Sequence, residues 1–270
     1  MQTSVDRWTG RLPAVPHAPL RGTVALVTGA SRGLGAELAY QLSKAGAAVA
    51  VTARDEAALA RVEGSILDAG GQCLAVPGDI AKPADVARCV DRVLARFGRL
   101  DALVNNAAVC RYGPLDSMAV EPLEQLLDVN LKGCILAARA VIPQMRAQGG
   151  GDIVNVASGS ALSGIANLAV YSATKAALVG FSRSLASELA SERVRVFCPC
   201  PGWMDTDMLR AFPESVLPAP EHRLSSRFVA SRIVRMLLEP RRAGGSPLTR
   251  VAARLNRRFR RDPFPVFRFT

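Results

Sequence analysis

The chain has 270 residues and a formal net charge of +11, because 34 lysines and arginines face 23 aspartates and glutamates. The excess is uneven: residues 1–220 carry a net charge of +1, and residues 221–270 carry +10. The whole-chain charge is therefore no argument for a nucleic-acid partner. With 49% hydrophobic and 21% charged residues, a wholly disordered chain is excluded.

Short apolar runs alternate with longer amphipathic stretches along most of the chain. The predicted strands are Val24–Thr28, Ala48–Ala53, Cys73–Val76, Ala102–Asn105, Ile153–Ala157 and Val194–Cys198. The predicted helices are near 33–46, 55–69, 83–97, 121–147, 171–191 and 225–239. Continuously apolar strands that alternate with helices predict an α/β fold with a doubly wound parallel sheet, Rossmann-like and a single domain over 22–240.

The two ends of the chain do not follow this pattern. Residues 1–21 contain prolines and no apolar run of a signal peptide, so they predict a loose N-terminal arm. Three prolines within 203–224 indicate an irregular lobe, and we find no convincing seventh strand after it. Residues 241–270 form a basic C-terminal segment.

Within the basic segment, apolar residues recur at helical spacing over 248–261 among six arginines. A basic amphipathic helix is typical of contact with a membrane surface or an acidic partner, here through 246–261. Alternatively, its apolar stripe packs on the body or on a sister subunit. No aromatic residues are interleaved as in single-strand binding proteins, so a nucleic-acid partner is not expected.

The six cysteines form no CxxC pair and no metal-ligand spacing, and only His17 and His222 could assist them. We therefore expect no metal site. Cysteines within apolar stretches indicate reduced, buried thiols and a cytoplasmic protein. No run approaches 18 apolar residues, so no transmembrane helix is expected.

The first predicted strand leads directly into the glycine-rich turn Gly29-Ala-Ser-Arg-Gly33-Leu-Gly35, and a helical pattern follows. Glycines allow a tight turn that brings the N–H groups of a helix N-terminus close to a pyrophosphate. A glycine-rich turn alone also serves packing, but the strand before it and the helix after it favour dinucleotide binding.

The spacing TGxxxGxG resembles the classical short-chain dehydrogenase/reductase family, and four later motifs strengthen the resemblance. Residues 105–108 read Asn-Asn-Ala-Ala, close to the family's NNAG. Asn130 lies in DVNLKG, and Ser158 precedes Tyr171 by 13 residues. Tyr171 and Lys175 form a YxxxK pair, and residues 201–206 match PGxxxT. The motifs occur in family order over roughly 22–206.

The resemblance implies an oxidoreductase that transfers a hydride between a nicotinamide cofactor and a carbonyl or secondary alcohol. It implies catalytic roles for Asn130, Ser158, Tyr171 and Lys175. Tyr171 would exchange the proton, Ser158 would hold the substrate oxygen, Lys175 would bind the nicotinamide ribose, and Asn130 would position a water. The implied cofactor contacts are Gly29, Ser31, Arg32, Gly33, Leu34, Gly35, Arg54, Asp79, Ile80, Asn106, Ala107, Tyr171, Lys175, Pro201, Gly202 and Thr206.

The residues themselves supply one argument for the proton-transfer role. Tyr171 and Lys175 share one face of a helix. The pKa of a phenol is about 10, and a nearby ammonium and a cationic nicotinamide are expected to lower the pKa of Tyr171. Each feature taken alone also has a plain structural explanation. Their joint occurrence favours an enzyme over a catalytically idle dinucleotide-binding sensor or scaffold.

Local charge favours NADP(H) over NAD(H). Arg32 in the glycine-rich turn and Arg54 after the second strand could both bind a 2′-phosphate. The alternatives are that Asp55 faces the ribose and selects NAD(H), or that Asp55 caps the next helix while Arg54 is solvated. Asp79 is expected at the adenine, although it could also cap the helix that begins near Pro83.

The substrate is expected between the loop 109–113, the loop 158–168 and the lobe. Apolar residues there indicate a mainly apolar carbonyl or alcohol, unless they pack onto the body. These residues are Leu162, Ile165, Trp203, Met204, Met208, Leu209 and Phe212. The resemblance also implies a homodimer or homotetramer formed through the helices 121–147 and 171–191.

Overall fold

The structure is a computed structural model that describes residues 18–239 and 266–269. Its seven strands form one sheet in the order β3-β2-β1-β4-β5-β6-β7, of which the first six are parallel. The strands are β1 Val24–Thr28, β2 Ala48–Thr52, β3 Gln72–Ala75, β4 Ala102–Asn105, β5 Gly151–Asn155, β6 Val194–Pro199 and β7 Val266–Phe269. The helices are α1 Gly33–Lys44, α2 Glu56–Asp68, α3 Pro83–Phe97, α4 Val120–Leu127, α5 Gly133–Ala147, α6 Ala169–Glu188 and α7 Ser226–Leu238.

The central strands β1, β4 and β5 are buried at every position, which explains why most of their residues are apolar. One core cluster joins the sheet to residues of α3, α5 and α6, and a second joins it to residues of α1, α2 and α7. The sheet is therefore doubly wound, and the order of its strands reverses between β1 and β4. In such sheets ligands bind at the carboxyl ends of the strands beside this reversal.

Strand β7 corrects the expectation that no seventh strand exists. Residues 266–269 pair antiparallel with β6, with Val196 opposite Phe269 and Pro199 opposite Val266. The strand is only four residues long, it follows a proline-containing stretch, and Arg268 interrupts its apolar residues, so its sequence lacks the continuous apolar run of the parallel strands. The predicted basic helix 248–261, and with it the proposed contact surface 246–261, lies outside the described residues.

The single helix predicted over 121–147 is wrong at one point. A π-helical turn over Asp128–Lys132 separates α4 from α5. Continuous helical spacing hides such a turn, because one inserted residue shifts the hydrogen bonds without ending the helix. The consequence is local: the turn carries Asn130, which is fully buried.

The N-terminal boundary of the body lies slightly before residue 22. Leu20 donates a main-chain hydrogen bond to Ala45 at 2.8 Å and packs on the core beside α1. Residues 18–21, assigned above to the arm, thus contact the body, whereas the rest of the arm lies outside the description. In the described ranges, no helix is both long enough and apolar enough to cross a membrane.

Candidate active site

The glycine-rich turn connects β1 to α1 at the reversal of the strand order. Gly29 has a φ of +64°, and a Cβ there would lie 2.6 Å from Cα of Ala107. A Cβ at Gly35 would lie 2.3 Å from the carbonyl oxygen of Gly29 and 2.6 Å from Nδ2 of Asn106. These two glycines are needed because the turn packs directly against the chain that follows β4.

Asn106 and Thr28 connect the ends of β4 and β1. The Thr28 hydroxyl accepts hydrogen bonds from the main-chain N–H groups of Asn106 and Ala107, both at 3.1 Å. The Asn106 amide donates to the carbonyls of Thr28 and Gly29 at 3.0 and 3.1 Å. Asn106 and Ala107 therefore shape the glycine-rich turn.

The N-terminus of α1 fits an anionic group. Its N-cap residue, Arg32, provides no side-chain cap, and its first turn contains no acidic residue. The first N–H groups of a helix have no partner within the helix, so they can bind a phosphate. A Cβ at Gly33 would meet only Thr206, at 3.8 Å, which leaves space before the helix. The Leu34 side chain is buried in the core, so we expect its main chain to be the part that contacts a ligand at this helix N-terminus.

The chain after β2 bears on cofactor choice. Asp55 is the N-cap of α2, and its carboxylate accepts a 2.9 Å hydrogen bond from the N–H of Ala58. Arg54 and Arg32 are exposed, and neither has a side-chain partner in the part of the chain that the structure describes. The carboxylate is thus engaged in capping, whereas both guanidinium groups are available.

Asp79 lies at the loop that follows β3. Its carboxylate accepts from the N–H of Ala81 at 3.0 Å, and its own N–H donates to Asp85 at 2.8 Å. Lys82 is the N-cap of α3, so Asp79 does not cap that helix. Ile80 packs against the start of α5, where a Cβ at Gly133 would lie 2.9 Å from Cγ2 of Ile80.

Asn130 binds the loop after β4 with its entire amide group. Its Oδ1 accepts from the N–H of Val109 at 2.8 Å, and its Nδ2 donates to the carbonyl of Val109 at 2.9 Å. Nδ2 also donates to the Thr174 hydroxyl at 3.2 Å. Asn130 thereby joins this loop to α6, and its role in positioning a water stays a prediction.

Ser158 begins a short 3₁₀ turn at 159–161, just past β5. Its hydroxyl oxygen accepts from the N–H of Ser160 at 3.2 Å and from the Ser160 hydroxyl at 3.0 Å. The main-chain N–H of Gly159 donates to the carbonyl of Pro201 at 2.7 Å, which brings the chain after β6 beside Ser158. Ser160 was not predicted as a site residue, because its position in the sequence gives no sign that its hydroxyl donates to the Ser158 hydroxyl.

Tyr171 and Lys175 lie in the first two turns of α6. Nζ of Lys175 is 5.8 Å from the centroid of the Tyr171 ring and donates to the carbonyl of Val156 at 2.9 Å. Lys175 is only 2% exposed. An ammonium has three donors, and among the described residues only Val156 accepts from this one. Two donors thus remain for ribose hydroxyls, which fits the nucleotide expected here.

The surroundings of Tyr171 and Lys175 shift the pKa of each side chain in the protein without nucleotide. Burial raises the pKa of Tyr171 above the ordinary value of a phenol, although the hydrogen bond to Ser158 acts in the opposite direction. Burial also lowers the pKa of Lys175 below that of an ordinary lysine. In the protein alone, desolvation therefore dominates the pKa of Tyr171 and favours its neutral phenol form, which is the form that can donate a proton.

A cavity of about 740 Å³ opens beside Ser158 and Tyr171. All seven apolar residues expected near the substrate line it: Leu162, Ile165, Trp203, Met204, Met208, Leu209 and Phe212. Pro201, Gly202 and Thr206 also line the cavity, so the chain after β6 contributes both to it and to the face opposite Gly33. Residues from three stretches of the sequence, namely Cys110, residues 157–171 and residues 200–212, thus meet at this cavity.

The fold and this site define a class of protein, the nicotinamide-dinucleotide oxidoreductases with a doubly wound sheet. The model of the family described as short chain dehydrogenase matches residues 23–216. The chain belongs to this family. It is an oxidoreductase of the kind that interconverts CH–OH and C=O groups with a nicotinamide dinucleotide.

Relatives and solved structures agree with this assignment. An uncharacterized oxidoreductase of Thermotoga maritima is 37% identical over 216 residues, 79% of this chain and 85% of the relative. The human 3-oxoacyl-[acyl-carrier-protein] reductase is 37% identical over 218 residues, 80% of this chain and 91% of the relative.

Two crystal structures share the fold. A 3-ketoacyl-(acyl-carrier-protein) reductase from Brucella melitensis in complex with NADH has a TM-score of 0.76 and 35% identity, over 82% of this chain and 92% of that one. A metagenomic short-chain oxidoreductase in complex with NADP has a TM-score of 0.73 and 34% identity, over 84% of this chain and 96% of that one. The structural relatives thus include complexes with either nucleotide.

Proposed function

We propose that this enzyme interconverts a mainly apolar ketone and its secondary alcohol, with a preference for NADP(H). The observation that carries the proposal is that Ser158 and Tyr171 both line an apolar cavity. The buried Lys175 lies next to Tyr171, with Nζ 5.8 Å from the ring centroid. The bound nucleotide would supply the hydride in reduction and accept it in oxidation.

In reduction, Tyr171 donates its phenolic proton to the carbonyl oxygen as the carbonyl carbon gains the hydride, and the product is the alcohol. The hydroxyl of Ser158 holds the same oxygen, and Ser160 orients that hydroxyl. Lys175 binds the nicotinamide ribose, and its positive charge stabilises the phenolate that remains until a proton returns. In oxidation the same residues act in reverse, with the phenolate as base.

The preference for NADP(H) is supported by the availability of Arg32 and Arg54 and by the capping role of Asp55. The adenosine 2′-phosphate would lie between the two guanidinium groups, since a guanidinium can bind phosphate through two hydrogen bonds. Pyrophosphate would bind the uncapped N-terminus of α1, and Asp79 and Ile80 would contact the adenine. Pro201, Gly202 and Thr206 would contact the nicotinamide.

The test is a panel of ketones and alcohols assayed with each nucleotide at the nicotinamide absorbance. We expect turnover by the wild-type protein and none by Tyr171→Phe, which should still bind the nucleotide. Tyr40→Phe is the matched control, because Tyr40 and Lys44 on α1 have the same YxxxK spacing, with Nζ 5.0 Å from the ring centroid. Normal turnover by Tyr171→Phe would refute the mechanism. No turnover by the wild type would favour a sensor or scaffold.

The homo-oligomer stays a proposal, supported by exposed apolar side chains on and near α4 and α5. Leu115, Val120, Leu127 and Ile135 are 57%, 62%, 41% and 37% exposed. Exposed apolar patches are typical of interfaces between subunits. Light scattering should give a dimer or tetramer, and Val120→Glu combined with Leu127→Glu should give smaller particles.

The cytoplasmic location is also a proposal, and it rests on the state of the thiols. All six cysteines are free, and four of them are buried. Free thiols are typical of a reducing compartment. Microscopy of a tagged chain would test it.

A further inference from the structure

Three aromatic rings connect the lobe to the loop after β4. The ring centroid of Phe212 lies 5.3 Å from that of Tyr112 and 5.7 Å from that of Trp203, the latter pair nearly perpendicular at 84°. The hydroxyl oxygen of Tyr112 accepts a 2.9 Å hydrogen bond from Nδ2 of Asn167, in the loop after β5. Contacts between these side chains thus connect the lobe, the loop after β4 and the loop after β5 around the cavity.

The lobe is anchored at its base and again through Phe212. At the base, Leu224 donates to the carbonyl of Trp203 at 2.8 Å, and Asp205 donates to the carbonyl of Leu224 at 3.0 Å. Phe212 is only 9% exposed, whereas residues 213–216 directly after it are exposed. Its ring therefore belongs to the wall of the cavity, although its neighbours in the sequence face solvent.

The cavity wall is uncharged. Of the described residues that line it, none is an aspartate, glutamate, lysine or arginine. Two methionines, Met204 and Met208, and the aromatic rings of Trp203 and Phe212 provide much of its lobe side. A carboxylate or phosphate buried there would lose its hydration and gain no counter-charge, which is costly. Such a wall favours a neutral hydrocarbon body.

We propose that Phe212 is the specificity-determining residue of this enzyme and that it selects neutral, hydrophobic ketones by size. The hydrocarbon body of the substrate packs against Phe212 and Trp203 while its carbonyl oxygen meets Ser158 and Tyr171. Tyr112 acts as a positioning residue, because its ring packs on the Phe212 ring and does not itself line the cavity. The hydrogen bond from Asn167 fixes Tyr112 in turn. This inference rests on the proposed ketone reduction.

The test uses two variants of Phe212 with opposite effects on the cavity. Phe212→Ala enlarges it, and Phe212→Trp fills it. Over a series of neutral ketones of increasing hydrocarbon size, we expect the largest kcat/KM to move to bulkier ketones for Phe212→Ala and to smaller ones for Phe212→Trp. A change in how well one group fills an apolar pocket alters kcat/KM by about tenfold or more.

The matched control is Val216→Ala, because Val216 lies on the same lobe but does not line the cavity and is 39% exposed. It should keep the wild-type order of substrates. Thermal unfolding and nucleotide binding of each variant separate loss of folding from a change of specificity. An unchanged substrate order in both Phe212 variants would overturn the inference and leave the reductase intact. An absence of turnover by the wild type on every ketone would instead refute the proposed function, and this inference with it.

Two further measurements test the substrate class and the role of Tyr112. A ketone that carries a carboxylate on its hydrocarbon end should have a kcat/KM at least about tenfold below that of its neutral isostere. Tyr112→Phe removes only the hydroxyl that binds Asn167, so we expect a higher KM with kcat unchanged at saturation. Equal rates for the charged and neutral ketones would refute the neutral substrate class. An unchanged KM in Tyr112→Phe would refute the positioning role.

Discussion

Nζ of Lys175 lies 5.8 Å from the ring centroid of Tyr171, yet it donates its hydrogen bond to the carbonyl of Val156. Tyr40 and Lys44 have the same spacing and a comparable distance of 5.0 Å, but Lys44 is exposed. The two pairs thus differ in their surroundings and not in their local geometry. Burial shifts the pKa values of the pair on α6, because it changes the free energy of each charged form.

The raised pKa of Tyr171 predicts how the two directions of the reaction depend on pH. In the proposed mechanism the reduction needs the protonated phenol, which persists to higher pH when the pKa is raised. We therefore expect kcat/KM for reduction to stay constant through neutral pH and to fall only in alkaline solution. Oxidation needs the phenolate, so its kcat/KM should rise with pH. Profiles in both directions test this, and a loss of reduction near neutral pH would contradict it.

The buried charge of Lys175 predicts a conflict between activity and stability. Burial lowers the pKa of Lys175 in the folded protein below the ordinary pKa of lysine. The unfolded chain therefore binds this proton more tightly than the folded protein does. Between the two pKa values, the free energy of unfolding falls as the pH falls. Lys175→Met removes this cost. We expect no turnover but a gain of about 1–3 kcal/mol in the free energy of unfolding, measured in denaturant near neutral pH. Lys44→Met, at an exposed site, should change it by less than about 0.5 kcal/mol. A destabilised Lys175→Met would show that the ammonium stabilises the fold.

The two arginines predict the cofactor preference. Arg32→Ala combined with Arg54→Ala should raise the KM for NADPH by about a hundredfold or more, because each charged hydrogen bond to the phosphate contributes about 1.5–3 kcal/mol. The KM for NADH, which has no 2′-phosphate, should change little. Arg61→Ala, in the middle of α2, is the control and should leave both values unchanged. Equal effects on NADPH and NADH would refute the proposed phosphate contact.

Gly35 and Gly64 predict opposite effects of the same substitution. In Gly35→Ala the new Cβ would lie 2.3 Å from the Gly29 carbonyl oxygen, so we expect destabilisation of about 1–3 kcal/mol and weaker nucleotide binding. In Gly64→Ala, within α2, no atom lies within 4 Å of the new Cβ. Alanine should there stabilise the protein by about 0.5–1 kcal/mol, because it favours the helix. Thermal unfolding and nucleotide titration measure both, and a neutral Gly35→Ala would contradict the tight packing of the turn.

Local patterns determined most of the fold. Helix α3 begins and ends where the sequence predicts, with Pro83 in its first turn and Gly98 in a left-handed C-cap at φ +73°. The short apolar runs predicted all six parallel strands, because strands buried on both faces allow few polar residues. The π-turn at Asn130 and the strand β7 escaped prediction, since the first is set by contacts with Val109 and Thr174 and the second by pairing with β6.

The sequence by itself determined the doubly wound order of elements, the glycine-rich turn and the identity of the residues expected to react. It also confined the excess charge to the last 50 residues, outside the described site. Only the tertiary structure decided that Asp55 caps a helix, that burial raises the pKa of Tyr171, and that Phe212 contacts Tyr112. Those properties depend on desolvation and on contacts between segments far apart in the chain, and local spacing does not record either.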